Sequence, residues 1–116
     1  MSSRGDLEWI KDVREAIIRI QRYLRGVGYK RFLKDTKTQD AVVRNLEIIG
    51  EAAKSISSDF KKTHKDVDWK GMAGMRDRLI HHYFGVNLDV VWSVVKDKLP
   101  GLKTQIEKIV ATQRGK

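Results

Sequence analysis

Residues 75–85 read MRDRLIHHYFG, which places Arg76, Asp77, Arg78, His81, His82 and Tyr83 among Leu79, Ile80 and Phe84. These side chains can hold an anion and move a proton. A guanidinium offers forked donors to a phosphate or carboxylate, and an imidazole titrates near neutral pH. A carboxylate one helical turn from an imidazole can orient it and favour its protonated form.

On an ideal helix, with about 100° per residue, Trp69, Met72, Arg76, Leu79 and Tyr83 form one stripe. Arg76 therefore stands where the pattern asks for an apolar residue. A buried, unpaired guanidinium costs several kcal/mol, so Arg76 must meet a carboxylate or phosphate, open into a cleft, or snorkel to a surface salt bridge. Asp77 and His81 are four residues apart and share a face. His81 is about 140° around the helix from Arg76, so the two do not point at one spot on a straight helix. Their convergence requires long side-chain reach, distortion near Gly85, or a second subunit. His82 falls on another face, beside the Arg78 row, and suits a surface or interface.

Other chemistries find little support. Cysteine is absent, which removes thiol catalysis and thiolate metal sites. His64 is remote in sequence, and no two histidines have the i, i+4 zinc spacing. The stretch GEAAKS lacks the glycine spacing of a phosphate loop, and Gly50, Ala52 and Ala53 read as small residues that allow close helix packing. No metal and no cofactor are expected.

The elements that must carry these residues are helical. Ile10, Val13, Ile17, Ile20 and Leu24 recur at steps of three and four, predicting a helix over 6–25 capped by Asp6 and ended by Gly26 or Gly28. YKRFLKDTKT reads as an irregular connection or a short helical turn. Val42, Leu46, Ile49, Ala53 and Ile56 mark a second helix, with Thr36 or Thr38 as cap and SISS at its end. SSDFKKTHKD reads as a polar connection to Asp68, the cap of the third helix, which Gly85 stops. Asn87 caps a fourth helix with Leu88, Val91, Trp92, Val95 and Leu99 inward. Pro100 interrupts or restarts that pattern before Leu102, Ile106, Ile109 and Val110, and suits the first turn of a last helix. No segment alternates with period two. The expected fold class is all-α, an antiparallel bundle of four main helices plus a C-terminal helix or continuation after Pro100, forming a single domain over residues 1–116.

Composition agrees. The 116 residues are 41% hydrophobic and 34% charged with one proline, which suits a folded helical domain rather than a disordered chain. No apolar run is long enough to cross a bilayer, and the N-terminus lacks a signal-peptide core, so a cytoplasmic protein is expected. Lys and Arg exceed Asp and Glu by 24 to 15, and the resulting +9 favours a polyanion or an acidic partner protein. Tyr23, Tyr29 and Phe32 interleave with basic residues, compatible with base stacking or with packing.

Arg76, DRLI, His81, His82 and Tyr83 match the R-x4-H-x-Y motif, and here the chain resembles the HEPN-domain toxins of the HepT type. RNLEIIGEAAKSIS, VDWKGMAGMRDRLIHHYFGVNLDVVWSVV and LPGLKTQIEKI extend the resemblance over most of the chain. It implies an all-helical homodimer with its cleft along the interface, where Arg76 and His81 could converge. It also implies a metal-independent endoribonuclease in which the ribose 2'-hydroxyl attacks the adjacent phosphate. His81 would serve as general acid or base and Arg76 as phosphate binder, with Asp77 in support. Tyr83 matches the tyrosine to which a cognate minimal nucleotidyltransferase antitoxin adds AMP, silencing the toxin in a type VII-like toxin–antitoxin system. A non-catalytic module that binds the nucleotidyltransferase or a nucleotide is the alternative. A basic nucleic-acid binder without cleavage lacks a reading motif.

Overall fold

The structure is a computed structural model that describes residues 5–80 and 87–114, with side chains described at all of these except 76, 78–80 and 114. Its described elements are α1 (Asp6–Tyr23), α2 (Tyr29–Phe32), α3 (Thr36–Ser55), α4 (Ser58–Thr63), α5 (Trp69–Ile80), α6 (Leu88–Ser93), a π-helical turn (Val94–Lys98) and α7 (Leu99–Arg114). No strand occurs among the described residues, and the all-α bundle is the architecture the apolar spacing predicts.

The central member is α3, which packs against α1 on one side and α5 on the other, while α7 packs along α1. Ile10, Val13, Ile17 and Ile20 of α1 meet Val42, Leu46 and Ile49 of α3, with Leu99 and Ile106 from the last helix; all are buried to 1% exposure or less. Gly50, Ala52 and Ala53 are also buried on α3, as expected of small residues at a close helix approach.

Two caps differ from expectation. Gly5, not Asp6, precedes α1, because the Asp6 carboxylate is used elsewhere. It accepts the Ser57 N–H at 2.8 Å and the Ser57 hydroxyl at 2.6 Å, joining the start of α1 to the end of α3. That joint sets α1 and α3 antiparallel. At α3 the cap is Asp35 rather than Thr36 or Thr38: its carboxylate accepts the Thr38 N–H at 3.1 Å and the Thr38 hydroxyl at 2.6 Å. The charged carboxylate takes the cap and leaves the threonine to donate. The Asp35 carboxyl is held below the usual carboxylate range by the Thr38 hydroxyl and then by its backbone N–H.

Gly26 ends α1 as predicted, with φ at +73°, a left-handed conformation that favours glycine. Within the supposed polar connection, Ser57 accepts the Phe60 N–H at 3.2 Å and starts α4. A capped turn lacking a buried residue leaves no apolar period to read in sequence.

Asn87 accepts the Asp89 and Val90 N–H groups, starting the last helical rod as predicted. The rod runs from Leu88 to Arg114, so the C-terminal helix is a continuation. Pro100 is the second residue of α7. It lacks an N–H, and in a regular helix its ring would press on the carbonyl four residues back. The π-helical turn immediately before it, in which the Leu99 N–H reaches the Val94 carbonyl, widens the helix and relieves that clash. Trp92 ties the rod to α2 through Tyr29 and Phe32, with ring centroids 5.5 and 5.2 Å apart. Phe32 is thus core, while Tyr23 and Tyr29 are exposed. No helix among the described residues is long and apolar enough to cross a membrane.

Candidate active site

The motif residues that the structure describes lie on α5, and the start of that helix is firmly built. Asp68 accepts the Gly71 N–H at 2.9 Å on its side chain and the Met72 N–H at 3.1 Å on its carbonyl, the cap the sequence predicts. Position 71 must stay small while that cap holds, since a Cβ there would collide with the Asp68 carboxylate. Trp69 is 7% exposed and donates its indole N–H to the His64 carbonyl at 2.9 Å. Phe60 packs on the His64 ring at 4.6 Å and edge-on to Trp69 at 6.3 Å. His64 therefore serves the fold, in keeping with its distance in sequence from the motif.

Trp69 and Met72 face the core as the stripe predicts. The same stripe carries the backbone of Arg76 within α5. Asp77 follows it, half exposed, and its Oδ1 lies 2.8 Å from the Lys54 ammonium on α3. The expected supporting carboxylate is thus held by a cation from the neighbouring helix. Lys54 lies in GEAAKS, where nothing in the spacing marks it as part of a site. Only the packing of α3 on α5 brings positions 54 and 77 together.

His81, His82, Tyr83 and Gly85 lie outside the described residues, and with them the expected meeting of Arg76 and His81, the distortion near Gly85 and the AMP-accepting hydroxyl. The backbone of α5 carries positions 76 and 77 two turns beyond a locked start, with Lys54 beside Asp77.

A groove of about 540 Å³ lies on the other side of α5, against the π-helical turn and α7. Met72, Met75, Val94 and Leu102 form its floor, and Asp66, Asp68 and Asp97 stand along it with Lys98. Among the described residues three carboxylates stand there beside one ammonium, a balance that repels a nucleic-acid backbone.

The family model described as "Ribonuclease HepT-like" matches residues 13–109. A protein of Thermococcus cleftensis named "Probable ribonuclease HepT" is 48% identical over 106 residues, covering 91% of this chain and 96% of its own length. A "Putative RNase" of Methanocaldococcus jannaschii is 43% identical over 107 residues, covering 92% of this chain and 88% of that one. Another, from Caldanaerobacter subterraneus subsp. tengcongensis, is 42% identical over 91 residues, with 78% and 81% covered. No solved structure gives a significant match. With an all-helical bundle, a motif helix that carries Arg76 and Asp77, and a match over residues 13–109, the chain belongs to the ribonuclease HepT-like family, the HepT type of HEPN protein.

Proposed function

We propose that this chain is a metal-independent endoribonuclease, the toxin of a type VII-like toxin–antitoxin pair, and that it cleaves RNA with Arg76 and His81. The observation that carries this reading is the family match over residues 13–109, within which the R-x4-H-x-Y residues all fall. The +9 charge supports a polyanionic substrate.

The chemistry is the one the family resemblance implies, and the residue types suit it. The ribose 2'-oxygen attacks the adjacent phosphorus, the bond to the 5'-oxygen breaks, and a 2',3'-cyclic phosphate and a 5'-hydroxyl result. One proton leaves the 2'-hydroxyl and one goes to the departing oxygen, and the His81 imidazole handles one of these transfers. A homodimer supplies a second imidazole for the other. Arg76 binds the non-bridging oxygens as negative charge builds on them. Asp77 supports the site from the position after Arg76.

Tyr83 is the regulatory residue in this reading. A cognate minimal nucleotidyltransferase transfers AMP from ATP to the Tyr83 hydroxyl with release of pyrophosphate. The anionic adduct, two residues from His81, fills the cleft and repels RNA.

The test is cleavage of single-stranded RNA by purified protein in the presence of a chelator, with the product ends identified. His81→Ala should lower the rate about a hundredfold to ten-thousandfold, the range for losing a proton-transfer group. Arg76→Ala should lower it about a hundredfold or more, as for losing an oxyanion donor. Full activity in His81→Ala, or activity abolished by chelator in the wild type, overturns the mechanism. Mass spectrometry after incubation with antitoxin and ATP should find AMP on wild type and none on Tyr83→Phe.

A further inference from the structure

Lys54 lies on α3, outside the R-x4-H-x-Y motif, and the reaction above leaves it without a role. Its Nζ is 2.8 Å from Asp77 Oδ1, with side chains 43% and 46% exposed. An ion pair that open to solvent contributes about 1 kcal/mol or less, so stability alone is a weak reason to hold a lysine there. The pair sets a cation beside the turn of α5 that carries Arg76. An ammonium has three donors and one carboxylate oxygen occupies one of them, so the half-exposed head can take a second anion.

The surface beside the pair has room for that anion. Gly74, one turn before Asp77 on α5, has nothing among the described residues within 4 Å of where a Cβ would stand. A flexible, compact cation over an open stretch of helix suits a phosphate oxygen, which it binds as a point charge.

We propose that Lys54 binds a phosphate of the RNA strand beside the one held by Arg76, and that Asp77 keeps the ammonium in position when RNA is absent. This inference rests on the ribonuclease reading and extends it by one substrate contact. Asp77 then acts on the RNA side of the site through Lys54, whatever else it does for the motif.

The test is binding of a 2'-O-methyl RNA oligonucleotide, which lacks the attacking hydroxyl, across a salt series. Wild type is compared with Lys54→Ala, Lys54→Arg and Asp77→Asn, each checked for an unchanged melting temperature. Lys54→Ala should bind about threefold to tenfold more weakly and show a salt slope shallower by about 0.7, the value for one lost contact to a single strand. Lys54→Arg should retain the wild-type slope, and Asp77→Asn should keep that slope and weaken binding less than Lys54→Ala does, because the cation stays while its positioning partner is lost. Wild-type affinity and slope in Lys54→Ala overturn the proposal. So does weakening by Asp77→Asn equal to that of Lys54→Ala, because Lys54 would then act only through the ion pair. Cleavage of ordinary RNA by wild type and His81→Ala is measured alongside: loss of the ribonuclease reading would appear there, as no His81-dependent cleavage, while the binding series still decides the Lys54 contact.

Discussion

Helices α1 and α5 both pack on α3, yet they are built in opposite ways. Along α1 the inward positions Ile10, Val13, Ile17 and Ile20 are all fully buried, and no glycine interrupts the helix. Along α5, in only 12 residues, Gly71 and Gly74 sit among Arg76, Asp77 and Arg78. The first helix is held by what it buries. The second is held at its start by particular bonds, from the Gly71 N–H to the Asp68 carboxylate and from the Trp69 indole to the His64 carbonyl. The inward stripe of α1 has no position to give to chemistry. A helix pinned at its start can carry charged residues farther along.

The difference should appear as a separation of stability from activity. Leu46 is fully buried on α3, and Leu46→Ala should lower the stability by about 2–5 kcal/mol, the range for truncating a buried leucine. At temperatures where the variant stays folded it should cleave RNA at close to the wild-type rate. His81→Ala should do the reverse, losing cleavage while its urea midpoint holds. Equal loss of activity in the two folded variants would break the division between a scaffold and a motif helix.

A smaller effect separates the two glycines of α5. Gly74→Ala places a methyl group that meets none of the described residues and should stabilise the protein by about 0.5–1 kcal/mol through helix propensity and a less flexible unfolded chain. Gly71→Ala gains the same propensity but drives the Asp68 carboxylate off its cap, a loss of about 1 kcal/mol. The two should therefore differ in unfolding free energy, measured by urea titration, by about the value of that cap. If both variants are stabilised equally, the Asp68 cap holds the start of α5 less firmly than its geometry implies.

The same contrast governs what could be read in the sequence. The apolar period located α1, α3, α5 and the last rod, and Asn87, Asp68 and Gly26 marked their ends through local chemistry that spans only three or four residues. The features that escaped depend on partners far along the chain. Asp6 caps nothing because Ser57, 51 residues on, takes its carboxylate. Lys54 joins the motif surface only because α3 packs on α5, 23 residues away. The π-helical turn before Pro100 follows from a local clash, but its remedy is a widened helix rather than the break that a proline suggests. In the motif, residue types and spacing singled out Arg76, Asp77 and His81 and the family resemblance added Tyr83, while the flanking cation required the packed bundle.

The smallest expected effect concerns Asp35, the cap of α3. Its folded pKa lies below the ordinary carboxylate value, first because the Thr38 hydroxyl donates to it and next because the Thr38 backbone N–H does. A carboxyl with a depressed folded pKa contributes stability that is fully present above its unfolded value, near about 4, and lost as pH falls through the folded one. Asn at this position still accepts the N–H but carries no charge, so Asp35→Asn should lose a little stability at pH 7 and none at the lowest pH. Urea midpoints of the two proteins should converge as pH falls below about 4, since other carboxyls titrate alike in both. A gap that stays constant through that window would mean that Asp35 works through hydrogen-bond geometry alone. The start of α3 would then be held without help from charge, as α1 is held by burial.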